Sequence, residues 1–263
     1  MARKKVIGVC PLCGRETKLA WSHVLPKWMF KGIRDGKDRH RIAELKIGEK
    51  PGVGIGQDGP TEPLLCESCD NAFSDIEGYA ENVFSYDVSQ RASRLPSFNY
   101  RAFGIAPVDY RKLKLFWILN LFRMSIAQGK YFAEVQLEPE YVAELRKRLI
   151  SRNPGPESRF AFTAVLPVEV TDGKTRILTD VLSQFVLMPS VTSWNGTRIV
   201  RLVCAGLVWA VFVPEAPEDR PISLFEEGKL LVFLGDLQEI EFLTGTFKEI
   251  VAAELHKQAL NRL

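Results

Sequence analysis

Cys10-Pro11-Leu12-Cys13 and Cys66-Glu67-Ser68-Cys69 are the two stretches whose reading decides how this chain begins to fold. Each CxxC pair bends tightly enough to offer two thiolates to one ion. Two such pairs supply the four sulfur donors of a tetrahedral zinc site. Gly14 after the first pair and Asp70-Asn71 after the second are small or turn-forming neighbours that suit this geometry. Cys10, Cys13, Cys66 and Cys69 are therefore read as ligands of a structural zinc. A disulfide pair or a redox motif is the competing reading of the same residues. Between the pairs, just past the first, lies Ser22-His23-Val24-Leu25-Pro26.

The surroundings favour the metal. The chain has 263 residues with 46% hydrophobic and 25% charged, the make-up of an ordinary globular protein with room for one large domain or two small ones. No apolar run approaches membrane-spanning length, so no membrane association is expected. The basic start, Met1 to Gly8, has no apolar segment behind it, which argues against secretion. A cytoplasmic location follows, and in that reducing compartment paired cysteines are more often metal ligands than disulfides. The fifth cysteine, Cys204, sits in an apolar run and reads as a small core residue.

The net charge of +3 hides an uneven distribution. Residues 1–50 hold 13 Lys and Arg against 5 Asp and Glu, a balance of +8, while residues 51–100 hold 2 against 8, a balance of −6. A basic arm beside an acidic segment suits a phosphate-binding surface next to a divalent-cation site. The plainer reading is that the two segments pack together and neutralise each other.

Working outward, residues 6–22 read as a zinc knuckle within a short hairpin, with His23 at the end of its second strand. Residues 27–35 predict one or two helical turns. Lys27, Lys31 and Arg34 there are candidate nucleic-acid contacts, interleaved with Trp28 and Phe30; the alternative is a small core face edged by lysines. Residues 48–63, rich in Gly and Pro, read as a loop. A helix is expected from Asp70, carrying Phe73, Ile76, Ala80, Val83 and Phe84 at helical spacing. Knuckle, hairpin and helix together describe a treble-clef (ββα) zinc module over residues 1–95. Residues 91–108 read as irregular and hold the boundary. A second unit, 105–263, then has helices over 109–151, a sheet over 159–234 and a final helix over 246–262. Asp109 caps the first of these helices, which is apolar nearly all round and so expected to be buried. Asn195-Gly196 marks a tight hairpin. The fold class is α+β, with a mainly antiparallel sheet.

The Cys-x2-Cys, the Ser-His-Val-Leu-Pro at a strand end and the Leu64-Leu65-Cys66-Glu67-Ser68-Cys69-Asp70 stretch resemble the zinc-containing HNH (ββα-metal) nucleases, nearest in pattern to the endonuclease VII type. The resemblance covers roughly residues 8–85. It implies DNA phosphodiester hydrolysis, with His23 as the general base and Mg²⁺ or Mn²⁺ as the catalytic cation. Asp70 falls where the family has a metal-binding asparagine, so it is the expected cation ligand. Ser22 departs from the pattern, because an acidic residue usually precedes that histidine, and serine is a poor ligand for Mg²⁺. Asp75 or Glu77 could supply a further oxygen.

Two functions are therefore expected. One is an HNH-like metal-dependent endonuclease acting on DNA. The other is a catalytically degenerate, zinc-stabilised module that binds nucleic acid through the basic arm, or a protein partner through the C-terminal sheet. A histidine in this position also has ordinary roles: capping a strand, satisfying a buried carbonyl, or serving as a spare zinc ligand. His40 lies in a charged stretch and reads as solvated, and His256 has no partner legible in the sequence.

Overall fold

The structure is a computed structural model and describes residues 5–33, 41–46, 52–57, 59–92, 101–171, 174–177, 186–236 and 240. The expected final helix over 246–262, Arg34 and His40 lie outside the described residues. No helix among the described residues is long and apolar enough to cross a membrane.

The N-terminal elements are small. Strands β1 (Val6–Val9) and β2 (Glu16–His23) form the expected hairpin, with Val9 opposite Glu16. A 3-10 helix over Lys27–Ile33 follows, and it turns Trp28, Met29 and Phe30 into the core. The core-face reading of this stretch therefore holds, and these aromatics are closed to base stacking. Strands β3 (Arg41–Lys46) and β4 (Gly52–Gln57) form a separate two-stranded sheet, and β5 (Thr61–Cys66) joins the edge of β2. This corrects the reading of 48–63 as a loop. Gly52, Gly54 and Gly56 alternate with Val53 and Ile55, a period of two that supports a strand despite the weak propensity of glycine. Pro63 is tolerated because β5 is an edge strand, and it sits beside a register shift.

The helix expected from Asp70 starts earlier and is broken. Helix α1 (Glu67–Asn71) begins directly after Cys66, and α2 (Ser74–Glu81) restarts past Phe73. A π-helical stretch, Asn82–Asp87, leads into α3 (Val88–Ala92). Strand β6 (Ala102–Ile105) then corrects the irregular reading of 91–108: it pairs with the last strand of the large sheet.

Helix α4 (Tyr110–Ile126) is the central column. The Asp109 carboxylate accepts from the Lys112 N–H at 2.9 Å, the expected N-cap. Every residue from Leu113 to Ser125 is buried, including Lys114, Asn120 and Arg123. Helix α5 (Pro139–Ser151) packs beside it with Leu145 and Leu149 inward. Lys147 faces outward, whereas Arg146 and Arg148 are half-buried and hydrogen-bonded.

Among the described residues the large sheet has eight strands. They are β6, β7 (Phe162–Thr171), β8 (Lys174–Ile177), β9 (Leu187–Trp194), β10 (Thr197–Cys204), β11 (Leu207–Val213), β12 (Leu224–Phe225) and β13 (Lys229–Asp236). Its main path runs β12-β13-β7-β11-β10-β9, and among the described strands only β13 with β7 is parallel. The α+β class with a mainly antiparallel sheet thus holds. Asn195-Gly196 turns the β9–β10 hairpin with φ of 47° and 79°, the left-handed pair such a turn requires.

One hydrophobic cluster runs from Cys10 and Leu12 through Met29 and Phe84 to α4 and on to Phe162, Trp209 and Val232. Its centre is aromatic. Trp28 stacks on Phe116 at 5.9 Å, Phe84 meets Trp209 edge-on at 4.7 Å, and Trp117 lies 4.6 Å from Trp209. The knuckle region and the large sheet therefore bury their apolar faces against the same helix.

Candidate metal centre

The two CxxC stretches meet because of strand register. The first closes a tight turn: Gly14 N–H donates to Cys10 O at 2.8 Å, and Cys10 N–H to Arg15 O at 2.9 Å. Gly14 takes φ of +77°, which a residue without a Cβ adopts at little cost. Strand β2 then carries Leu19 opposite Cys66 at the end of β5, so the second stretch lies beside the first. The sulfurs of Cys10, Cys13, Cys66 and Cys69 all fall within 4.8 Å of one another.

Four sulfurs at this separation fit one ion. A tetrahedral site with zinc–sulfur bonds near 2.3 Å places its sulfurs about 3.8 Å apart. The Cys13 and Cys66 sulfurs are 3.8 Å apart, far beyond a disulfide bond, and all five cysteines are free. The disulfide reading is therefore set aside, and the cluster could hold a metal ion such as zinc. Cys204 is fully buried 3.6 Å from Met29 Sδ, and burial pushes its thiol upward; it is the core residue the sequence suggested.

Hydrogen bonds favour the thiolate at Cys13 and at Cys66. Arg15 Nε donates to Cys13 Sγ at 3.5 Å, and that hydrogen bond is the main reason the Cys13 thiol is lowered to about 6. The other side of the Arg15 guanidinium reaches Ser68 Oγ at 3.2 Å, and Ser68 Oγ lies 3.2 Å from Cys66 Sγ, which lowers the Cys66 thiol. The Cys66 N–H donates to Cys10 Sγ at 3.4 Å. Burial pushes Cys69 upward, so a bound cation must displace its proton.

The residues expected to carry catalysis are placed differently. His23 ends β2 opposite Thr61 and is half-buried. Ser22 before it is buried, and its hydroxyl bonds back to Ala20 O at 3.4 Å. Asp70 follows the cluster, but its carboxylate accepts from Arg123 Nη2 at 2.9 Å. Glu77 accepts from Nη1 of the same guanidinium. Arg123 comes from α4 and its side chain is only 4% exposed. Asp75, the remaining candidate oxygen donor, stands 3.8 Å from Arg152. The three carboxylates weighed for a catalytic cation thus each face an arginine.

A cleft of about 650 Å³ lies between β2 and α1. Arg15, Lys18, Trp21, Ser68, Asp70 and Asn71 are among its lining residues, and His23 is not. Lys31, a candidate nucleic-acid contact, pairs with Glu81, while Lys27 is exposed. Sequence reasoning missed Arg123. Its signal was a charged residue in the middle of an apolar helix, which needs a buried partner. It also missed Glu62, whose carboxylate accepts from the N–H groups of Gln128 at 2.7 Å and Gly129 at 2.9 Å.

Comparison with protein-family models, with curated proteins and with solved structures gives no match.

Proposed function

We propose that the chain is a zinc protein whose N-terminal region is a treble-clef unit of HNH type, and that it binds nucleic acid without cleaving it. The observation that carries this reading is the buried Arg123 guanidinium on Asp70 and Glu77. A fixed guanidinium binds an oxygen of each carboxylate and offsets one of their two negative charges, so a hard divalent ion must compete with it for those oxygens. With serine at position 22, the acidic partner expected before His23 is also missing. The thiol cluster fits a structural role: zinc in a closed four-sulfur site holds β1, β2 and α1 together and contributes folding free energy.

Nucleic acid is favoured over a protein partner by the +8 balance of residues 1–50 and by Arg15 and Lys18 beside a Trp21 that is 38% exposed, at a cleft whose lining also holds Glu16, Glu67 and Asp70. Cations beside an aromatic face suit a backbone with bases stacked near it. The test is fluorescence anisotropy of the zinc-loaded chain with single-stranded and duplex DNA across a salt series. The reading expects log Kd to rise linearly with log salt concentration, with a smaller slope for Lys18→Ala. Affinity that does not change with salt contradicts it.

The HNH-like endonuclease remains as a second reading, favoured by the position of His23 at the end of β2 and by Asp70 in the cleft wall. It needs Mg²⁺ or Mn²⁺ to displace Arg123 from Asp70. It expects nicking that is lost in His23→Ala and Asp70→Ala.

A further inference from the structure

Helix α5 is remote in sequence from the thiols, yet it reaches both halves of their cluster. Arg146 Nε donates to Pro11 O at 3.0 Å and to Leu12 O at 2.7 Å, the two residues between Cys10 and Cys13. The Arg146 guanidinium also passes the knuckle turn closely, since a Cβ placed on Gly14 would stand 3.7 Å from its Nη2. Just past the C-terminal end of α5, Arg152 donates to Ala72 O and lies 4.3 Å over the Phe73 ring. Ala72 and Phe73 follow directly on α1, which carries Cys69. One helix therefore grips the backbone beside each CxxC pair.

We propose that Arg146 is a positioning residue of the metal centre, and that α5 couples retention of the ion to the large body of the chain. This rests on the reading that the cysteine cluster holds a metal ion. The physical reason lies in the peptide plane. A trans peptide points its carbonyl and its N–H to opposite sides. Drawing the Pro11 and Leu12 carbonyls to Arg146 turns the Leu12 and Cys13 N–H groups away from it and fixes the planes on which Cys13 is carried. A knuckle held in this way has less freedom to lose when the ion binds, which favours tight binding and slow release. Coupling is reciprocal: an ion that binds better with α5 docked also holds α5 in place.

The experiment uses the intact zinc-loaded chain. Zinc release to a chromophoric chelator is timed for the native chain, Arg146→Ala, Arg146→Lys and Arg148→Ala, and the Co²⁺-substituted proteins are compared by absorption. Arg146→Ala is expected to weaken metal affinity and speed release by about 10–100-fold, with one ion per chain and unchanged tetrathiolate Co²⁺ bands. Arg146→Lys, which keeps a donor, recovers part of the loss. Arg148 bonds to Glu144 within α5, so Arg148→Ala is expected to lower Tm and leave the release rate unchanged. Release from Arg146→Ala at the native rate overturns the proposal. So does equal acceleration in Arg148→Ala, which makes the effect one of general stability. Deuterium uptake across Pro139–Ser151 is expected to rise when zinc is removed, and unchanged uptake contradicts the coupling. A native chain that binds neither Zn²⁺ nor Co²⁺ rejects the metal reading itself, a result distinct from any variant's.

Discussion

At the scale of single residues, what decides the chemistry is which charge faces which. Arg123 is nearly excluded from water, while Asp70 and Glu77 are about a quarter exposed. Removing the cation leaves two carboxylates side by side, and removing one partner of a buried pair costs more than the pair contributes. Arg123→Met is expected to lower stability by ~2–4 kcal/mol, below the full cost of a dry site because the carboxylates still reach solvent; denaturant unfolding measures it. Lys114 sets a pH dependence. Its ammonium is buried and donates to Glu157 O at 2.8 Å, and burial, then Arg148, lowers it to about 7. Between pH 7 and 10.5 the unfolded chain binds this proton and the folded chain does not. The penalty is full below the folded value and is relieved as pH rises, so stability increases with pH through this window. Relative to Lys114→Met, the native chain should gain on the order of 4 kcal/mol between pH 7 and pH 10.5. A flat difference between the two unfolding curves contradicts this. The four thiols were legible in the sequence because a CxxC pair is a local pattern. Arg123 was not, because its partners lie 53 and 46 residues away and only the packing of α4 brings them together.

At the scale of elements, legibility followed the strength of the periodic signal. Helix α4 declared itself through its capping Asp109 and its continuous apolar run, and the β9–β10 hairpin through Asn195-Gly196. Strand β4 was hidden because its glycines read as loop residues when counted rather than placed in alternation. Strand β6 was hidden because its four residues are defined by pairing with β13, more than a hundred residues on. The early start of α1 was missed because the strand-to-helix switch falls on a cysteine of the cluster, Cys66, with no side-chain cap to announce it. The joint between β5 and the end of α4 is equally non-local: the Glu62 carboxylate accepts both the Gln128 and Gly129 N–H groups. Glu62→Ala is expected to cost about 1–2 kcal/mol, in line with hydrogen bonds to a charged acceptor that is partly solvated. Glu62→Gln, which keeps one acceptor, should recover part of it. Equal midpoints for Glu62→Ala and the native chain in urea contradict the tie.

At the scale of the whole molecule, the N-terminal elements and the large sheet share one aromatic centre. Trp28 and Phe84 come from the knuckle side, Phe116 and Trp117 from α4, and Phe162 and Trp209 from the sheet. Side chains packed this closely lose their contacts together. Zinc release, tryptophan fluorescence and far-ultraviolet ellipticity should therefore change in one coincident transition on heating. An early, separate release of zinc contradicts that expectation. The sequence separated a beginning with two CxxC pairs from an α+β remainder because composition and period change along the chain. The shared core was out of reach, since no local pattern tells which apolar face meets which. The arginines on Asp70, Glu77 and Asp75 belong to the same long-range order. They shift the functional reading from hydrolysis towards binding. One gel tests that shift most directly: supercoiled plasmid incubated with the zinc-loaded chain in Mg²⁺ or Mn²⁺, at low and high salt, with His23→Ala beside it. The account expects plasmid retarded at low salt, released at high salt and never nicked. Open circles that form with the native chain and vanish with His23→Ala would contradict it and establish the nuclease.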